Sequence, residues 1–217
     1  MSTQTASNET ILFAPRAQPQ DPGEMLQLVY DRQQIIEVLH RYARAIDRCD
    51  LGLLQSVYHE DATDSHGSFD GNAHEFAAFM LPRLQKQTSY SIHHVTNELV
   101  EVDGDRAIAE SCLLGYHRVP GGRDSVAEFF GEAYADRAEA EGTLGGEHEY
   151  LTGGRYLDKL VKRAGVWRIW RRRITVEWNQ CQPSRMVVEG GRSRYDIPGA
   201  RDLGDPSYRL NFESFDE

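Results

Sequence analysis

At 217 residues the chain is long enough to bury a full core as one domain with extensions. It is 40% hydrophobic and 27% charged with a net charge of -10, which argues against nucleic acid or an anionic membrane surface as its main partner. Its three cysteines, Cys49, Cys112 and Cys181, are far apart and form no Cys-x-x-Cys, so a reducing cytoplasm is expected rather than a disulfide framework.

Residues 1–27 read as an N-terminal arm, polar and proline-containing, without the apolar run of a leader or a membrane span. Asp31 and Gln34 resemble a capping pair that opens a first helix carrying Ile35, Ile36, Leu39, Tyr42, Ala43 and Ile46 at three- and four-residue spacing. Asp47 ends that helix on the same side as Ile36 and Ala43, an unusual place for a carboxylate because solvent is the cheaper environment. Asp50 can cap a short second helix over 51–58. A short strand is expected near 63–67, a turn at Phe69-Asp70-Gly71, and a third helix over 73–85 with Phe76, Phe79, Met80 and Leu84 on one side.

The hydrophobic period then changes to two. Strands are expected over 90–102, 106–119, 152–163 and 166–178, with the first turn at Val102-Asp103-Gly104-Asp105, Asp-Gly at its centre. Long strands joined by tight turns imply a curved antiparallel sheet covering three helices, hence an α+β class. The main domain spans 28–181. It is interrupted by an insertion over 120–147, whose helix over 124–141 has Phe129, Phe130, Ala133 and Tyr134 as its apolar side. A tail over 182–217 carries enough apolar groups to dock.

Among the chemistry-bearing residues, His93 lies in Ser91-Ile92-His93-His94-Val95-Thr96-Asn97, where alternation puts Ser91, His93, Val95 and Asn97 on one face. His93 and His94 therefore cannot chelate one metal together. An imidazole oriented by a carboxylate is a general acid/base device, so His93 with Asp47 is the leading catalytic pair. The bland alternatives are a core histidine bonded to backbone and a helix-end carboxylate meeting Arg44 or Arg48. Tyr42 is read as a catalytic phenol or a core tyrosine. Tyr116 and His117 lie on opposite strand faces, so one of them faces the interior. Asn97, Arg155, Arg171, Arg173 and Trp178 are further substrate-binding candidates by hydrogen bonding, charge or stacking. No metal-binding, dinucleotide or phosphate-loop motif is present, so neither metal nor cofactor is expected.

The order of Arg41-Tyr42-Ala43-Arg44-Ala45-Ile46-Asp47, His59-Glu60-Asp61-Ala62, His93-His94-Val95-Thr96-Asn97, Gly154-Arg155-Tyr156-Leu157-Asp158 and Gly165-Val166-Trp167-Arg168-Ile169 resembles the SnoaL-like branch of the nuclear-transport-factor-2-like superfamily. The resemblance implies a cone-shaped fold, three helices in a strongly curved, antiparallel to mixed sheet around an internal cavity. It also implies the Asp–His pairing of the scytalone dehydratase and dehydrochlorinase-like members, on Asp47 and His93. Within the branch the chain is similar to the sphingomonad diarylpropane lyases. That implies a cofactor-independent lyase of aromatic catabolism, turning a lignin-derived diarylpropane diol into a stilbene with release of formaldehyde. The alternatives are a dehydratase, cyclase or isomerase of a polyketide- or steroid-like ligand, and a non-catalytic subunit such as a ring-hydroxylating dioxygenase β-subunit. The expected partners are a small aromatic substrate and further copies of the chain, with a trimer favoured, and neither nucleic acid nor membrane.

Overall fold

The computed structural model describes residues 12–187, 189–194 and 199–210. Its first helix, α1 (Pro22–Asp47), is opened by Asp21, whose carboxylate accepts from the Glu24 N–H at 3.0 Å. Pro22 occupies the first turn, where no N–H is needed. The helix therefore starts well before Asp31, inside the segment read as an arm. Asp31 is not a cap but a buried mid-helix carboxylate, accepting from Trp167 Nε1 at 2.7 Å and from Lys162 Nζ at 3.2 Å. Ile35, Leu39, Tyr42, Ala45 and Ile46 form the buried stripe of α1 and enter the main core.

Asp50 caps α2 (Leu51–Ser56) through the Leu53 N–H. β1 (Tyr58–His66) and β2 (Phe69–Asn72) then form a hairpin where a short strand and a turn were expected. Asn72 caps α3 (Ala73–Gln87). β3 (Tyr90–Asp103), β4 (Arg106–Val119), β5 (His148–Arg163) and β6 (Val166–Pro183) pair successively as an antiparallel meander, while β1 runs parallel to β6. The single mixed sheet has the order β2-β1-β6-β5-β4-β3 and curves without closing. The turn between β3 and β4 is Gly104-Asp105, one residue later than the Asp-Gly centre expected. Gly104 takes φ 59°, the glycine-first pattern of a type II′ hairpin.

The insertion holds two helices, α4 (Arg123–Phe130) and α5 (Glu132–Ala140), in place of the one expected. Gly131 separates them at φ 92°, a conformation that stops the first helix and starts the second. Among the described residues no helix is long and apolar enough to cross a membrane.

Two β-bulges decide which side chains enter the core. Between Thr96 and Leu99, β3 carries two residues, Asn97 and Glu98, against the single Ser111 of β4, one residue extra, and Asn97 takes φ 55°. Inward packing consequently passes from Val95 to Val100 and Val102. Between Ile169 and Arg171, β6 gains one residue against β5, so inward positions pass from Ile169 to Arg172.

Candidate active site

The end of α1 lies against β3, and there the carboxylate of Asp47 is spent entirely on His93. Oδ2 accepts the His93 backbone N–H at 2.9 Å, and Oδ1 bonds the ring Nδ1 at 2.7 Å. Both side chains are nearly enclosed, 8% and 10% exposed. A carboxylate can only accept, so Nδ1 carries a proton, and in the neutral ring Nε2 is the nitrogen that presents a lone pair. The backbone bond matters as much as the ring bond. It fixes the carboxylate to the strand from which the imidazole projects, so both rotamers are defined together.

His117 on β4 joins this pair. Its ring centroid lies 5.1 Å from that of His93, edge to face, and its Nδ1 is 3.1 Å from Ser91 Oγ. Burial, then the neighbouring His93 and Arg201, push its imidazole down to about 3, so it is neutral near pH 7. Gly115 lets Thr152 and the two histidines close over the strand: a Cβ there would meet Thr152 at 3.1 Å, His117 at 3.4 Å and His93 at 3.5 Å. Beyond His117 stand Tyr150 and Phe129, with centroids at 5.9 and 6.3 Å, and Phe130 and Tyr134 continue the aromatic wall. The insertion thus supplies one side of the site.

A second polar cluster lies deeper. Arg172 donates to both oxygens of Asp158, at 2.7 and 2.8 Å, with both side chains fully buried. The guanidinium lies against the rings of Tyr42 at 3.9 Å and Tyr156 at 4.2 Å, which meet each other edge to face. Tyr58 donates to Asp64 at 2.6 Å. Tyr42 Oη, Arg172 Nη1, Asp64 Oδ1 and Ser111 Oγ are all buried without a hydrogen-bond partner among the described residues. Burial raises the Tyr42 phenol, so it remains a donor at neutral pH.

The structure brings Asp47, His93 and His117 together and places Tyr42 in the deeper cluster. The remaining sequence candidates lie elsewhere. Tyr116 is on the outer face, donating to Glu149 at 3.1 Å, because His117 takes the inner one. Asn97 is carried out to solvent by the β3 bulge. Arg155 is held on the outer face between Glu177 at 2.6 Å and Glu110 at 3.1 Å. Arg171 bonds the Asp61 carbonyl at 2.9 Å and stacks on Trp170, and Arg173 is exposed. Trp178 lies 46% exposed, its indole over Gly153. The arginine that does reach the interior is Arg172, because the β6 bulge shifts the parity of the strand after Ile169. Arg201 was missed, since nothing in its neighbourhood in sequence resembles a site. Among the described residues no three His, Cys, Asp or Glu side chains gather to hold a metal ion.

Among curated protein sequences none matches this chain. Solved structures do. A protein of Kribbella flavida is 23% identical with a TM-score of 0.55, covering 70% of this chain and 95% of its own. A hexachlorocyclohexane dehydrochlorinase, LinA-type3, from Novosphingobium barchaimii LL02 is 17% identical with a TM-score of 0.58, covering 76% and 99%. A candidate scytalone dehydratase from Novosphingobium aromaticivorans DSM 12444 is 17% identical with a TM-score of 0.55, covering 82% and 95%. At these identities the likeness is one of fold. The family model of the SnoaL-like domain matches residues 27–173, from within α1 into β6, and the chain belongs to that family.

Proposed function

We propose that this protein is a cofactor-independent lyase acting by general acid/base catalysis on a small aromatic substrate, with a diarylpropane diol as the substrate class. The observation that carries this reading is the pair of hydrogen bonds that His93 gives to Asp47, which orients one imidazole as a base and leaves Nε2 without a partner among the described residues. The aromatic wall of Phe129, Phe130, Tyr134 and Tyr150 beside His117 supports an aryl ligand. The unpartnered donors Tyr42 Oη and Arg172 Nη1 support reception of an oxygen that leaves or becomes negative.

In a 4-hydroxyaryl diol, loss of the benzylic hydroxyl with the phenolic proton releases water and leaves a quinone methide. His93 Nε2 then takes the proton of the terminal carbinol. The carbon–carbon bond breaks, formaldehyde departs, and the electron pair forms the stilbene double bond while the ring regains its aromaticity as a phenolate. Proton transfers alone balance the sequence. Asp47 stabilises the imidazolium that forms.

A plain elimination without carbon–carbon cleavage is the second reading, favoured by the dehydrochlorinase and the candidate dehydratase among structures of the same fold. Incubation with a guaiacyl diarylpropane diol decides between them. Stilbene and formaldehyde in equal amounts are expected. A dehydrated product without formaldehyde selects plain elimination, and no product from wild-type protein removes the diol as substrate.

A further inference from the structure

The C-terminal segment 199–210 lies across the ends of α1 and α3 and is fastened at several points. Arg48 pairs with Asp205 at 3.3 Å, Arg44 donates to Ser207 at 3.1 Å, and Tyr208 donates to Asp50 at 2.7 Å. The Arg201 carbonyl accepts from Gln85 at 2.9 Å. Arg201 itself turns inward. Its Nη1 donates to the Leu84 carbonyl at 3.1 Å, to the Thr88 carbonyl at 3.0 Å and to Thr88 Oγ1. Its Nη2 lies 3.3 Å from Cys49 Sγ, and its Nε is 3.5 Å from the carbonyl of Asp47. No carboxylate bonds this guanidinium among the described residues, and burial lowers its basicity.

A half-buried cation that bonds no carboxylate is costly unless its donors are filled. Here they are filled by carbonyls at two helix C-termini, which carry partial negative charge; that of Leu84 also accepts the Thr88 N–H at 3.1 Å. The corner it grips is strained: Cys49, two residues after Asp47, sits at φ 50°. A planar five-donor fork can span both helix ends at once; a single ammonium cannot.

We propose that Arg201 is a positioning residue of the Asp47–His93 pair: its guanidinium ties the end of α1, at Asp47 and Cys49, to the end of α3, at Leu84 and Thr88, and so sets the carboxylate that orients His93. The tail is then part of the site, although none of its described residues touches either ring of the histidine pair. The inference rests on the catalytic reading of the dyad only for its effect on rate; its structural content stands apart.

The test uses the full chain labelled with 15N-histidine. In wild type, the proton between His93 Nδ1 and Asp47 is expected to give a downfield resonance. In Arg201→Met that resonance is expected to shift or broaden, while kcat on the diarylpropane diol falls about 10- to 100-fold with KM nearly unchanged, the size of loss that small misplacements produce. Arg201→Lys is expected to restore little of either. Thr88→Val, which removes one contact far from the dyad, is a milder variant in case Arg201→Met fails to fold, and it is expected to shift the same resonance. An unmoved resonance in a folded Arg201→Met protein, or in Thr88→Val where Arg201→Met does not fold, overturns the proposal, as does full restoration by lysine. If wild type turns over no diol, the proposed function fails, and the resonance alone decides the role of Arg201.

Discussion

Two enclosed carboxylates in this protein each spend both oxygens on one residue, and they do opposite things. Asp158 is bonded twice by Arg172, deep among Tyr42 and Tyr156. A guanidinium does not give up its proton, so that pair is a fixed charge distribution. Asp47 is bonded twice by His93, once from the backbone and once from the ring. An imidazole has a second nitrogen, and the same economy of bonds leaves it free to take and return a proton. The contrast suggests that the deep pair holds shape and field while the dyad moves protons.

The largest expected effect is on rate. Asp47→Asn and His93→Gln should each lower kcat about 10²- to 10⁴-fold in diol turnover, the usual contribution of general acid/base catalysis, while the melting temperature changes little. Wild-type turnover in both would remove the distinction between the two carboxylates. The reverse pattern is expected of the deep pair. Asp158→Asn, which takes from Arg172 the carboxylate that bonds it, should cost about 3–5 kcal/mol in denaturant unfolding. A double change, Asp158→Leu with Arg172→Met, should be milder because it removes both charges.

A smaller effect separates His117 from its partner. Its folded pKa of about 3 lies below the unfolded value near 6.5, so the folded form binds fewer protons. Stability should be fully present above about pH 6.5 and decline as the pH falls toward 3, by about 2 kcal/mol at pH 5. His117→Gln should remove that acid dependence; an unchanged pH profile of unfolding would show that His117 is not the group. The smallest effect lies far from both carboxylates, at the hairpin joining β5 and β6. Ala164 there takes φ 50° beside Gly165 at φ 78°, a type I′ pair that prefers Asn-Gly. Ala164→Asn should stabilise by about 0.5–1 kcal/mol and raise the melting temperature by a few degrees, with turnover unaltered.

The sequence by itself determined much of this. Periodicity located the stripe of α1 and the four long strands, because burial of one face imposes periods of 3.6 and 2 that local composition records. Asp47 stood out as a carboxylate on an apolar face, and Ser91, His93 and Val95 kept their alternation up to the bulge. Tertiary structure decided the rest. An extra residue in β6 turned Arg172 inward and left Arg171 and Arg173 outside, and the β3 bulge put Asn97 in solvent. Bulges are set by how two strands must bend together over a core, which neither strand's own pattern contains. Asp31 looked like a cap because its use as a buried acceptor for Trp167 depends on a strand 136 positions away. Arg201 was illegible for the same reason: its partners are carbonyls of two helix ends, groups every residue carries, and only the folded chain brings them to one guanidinium.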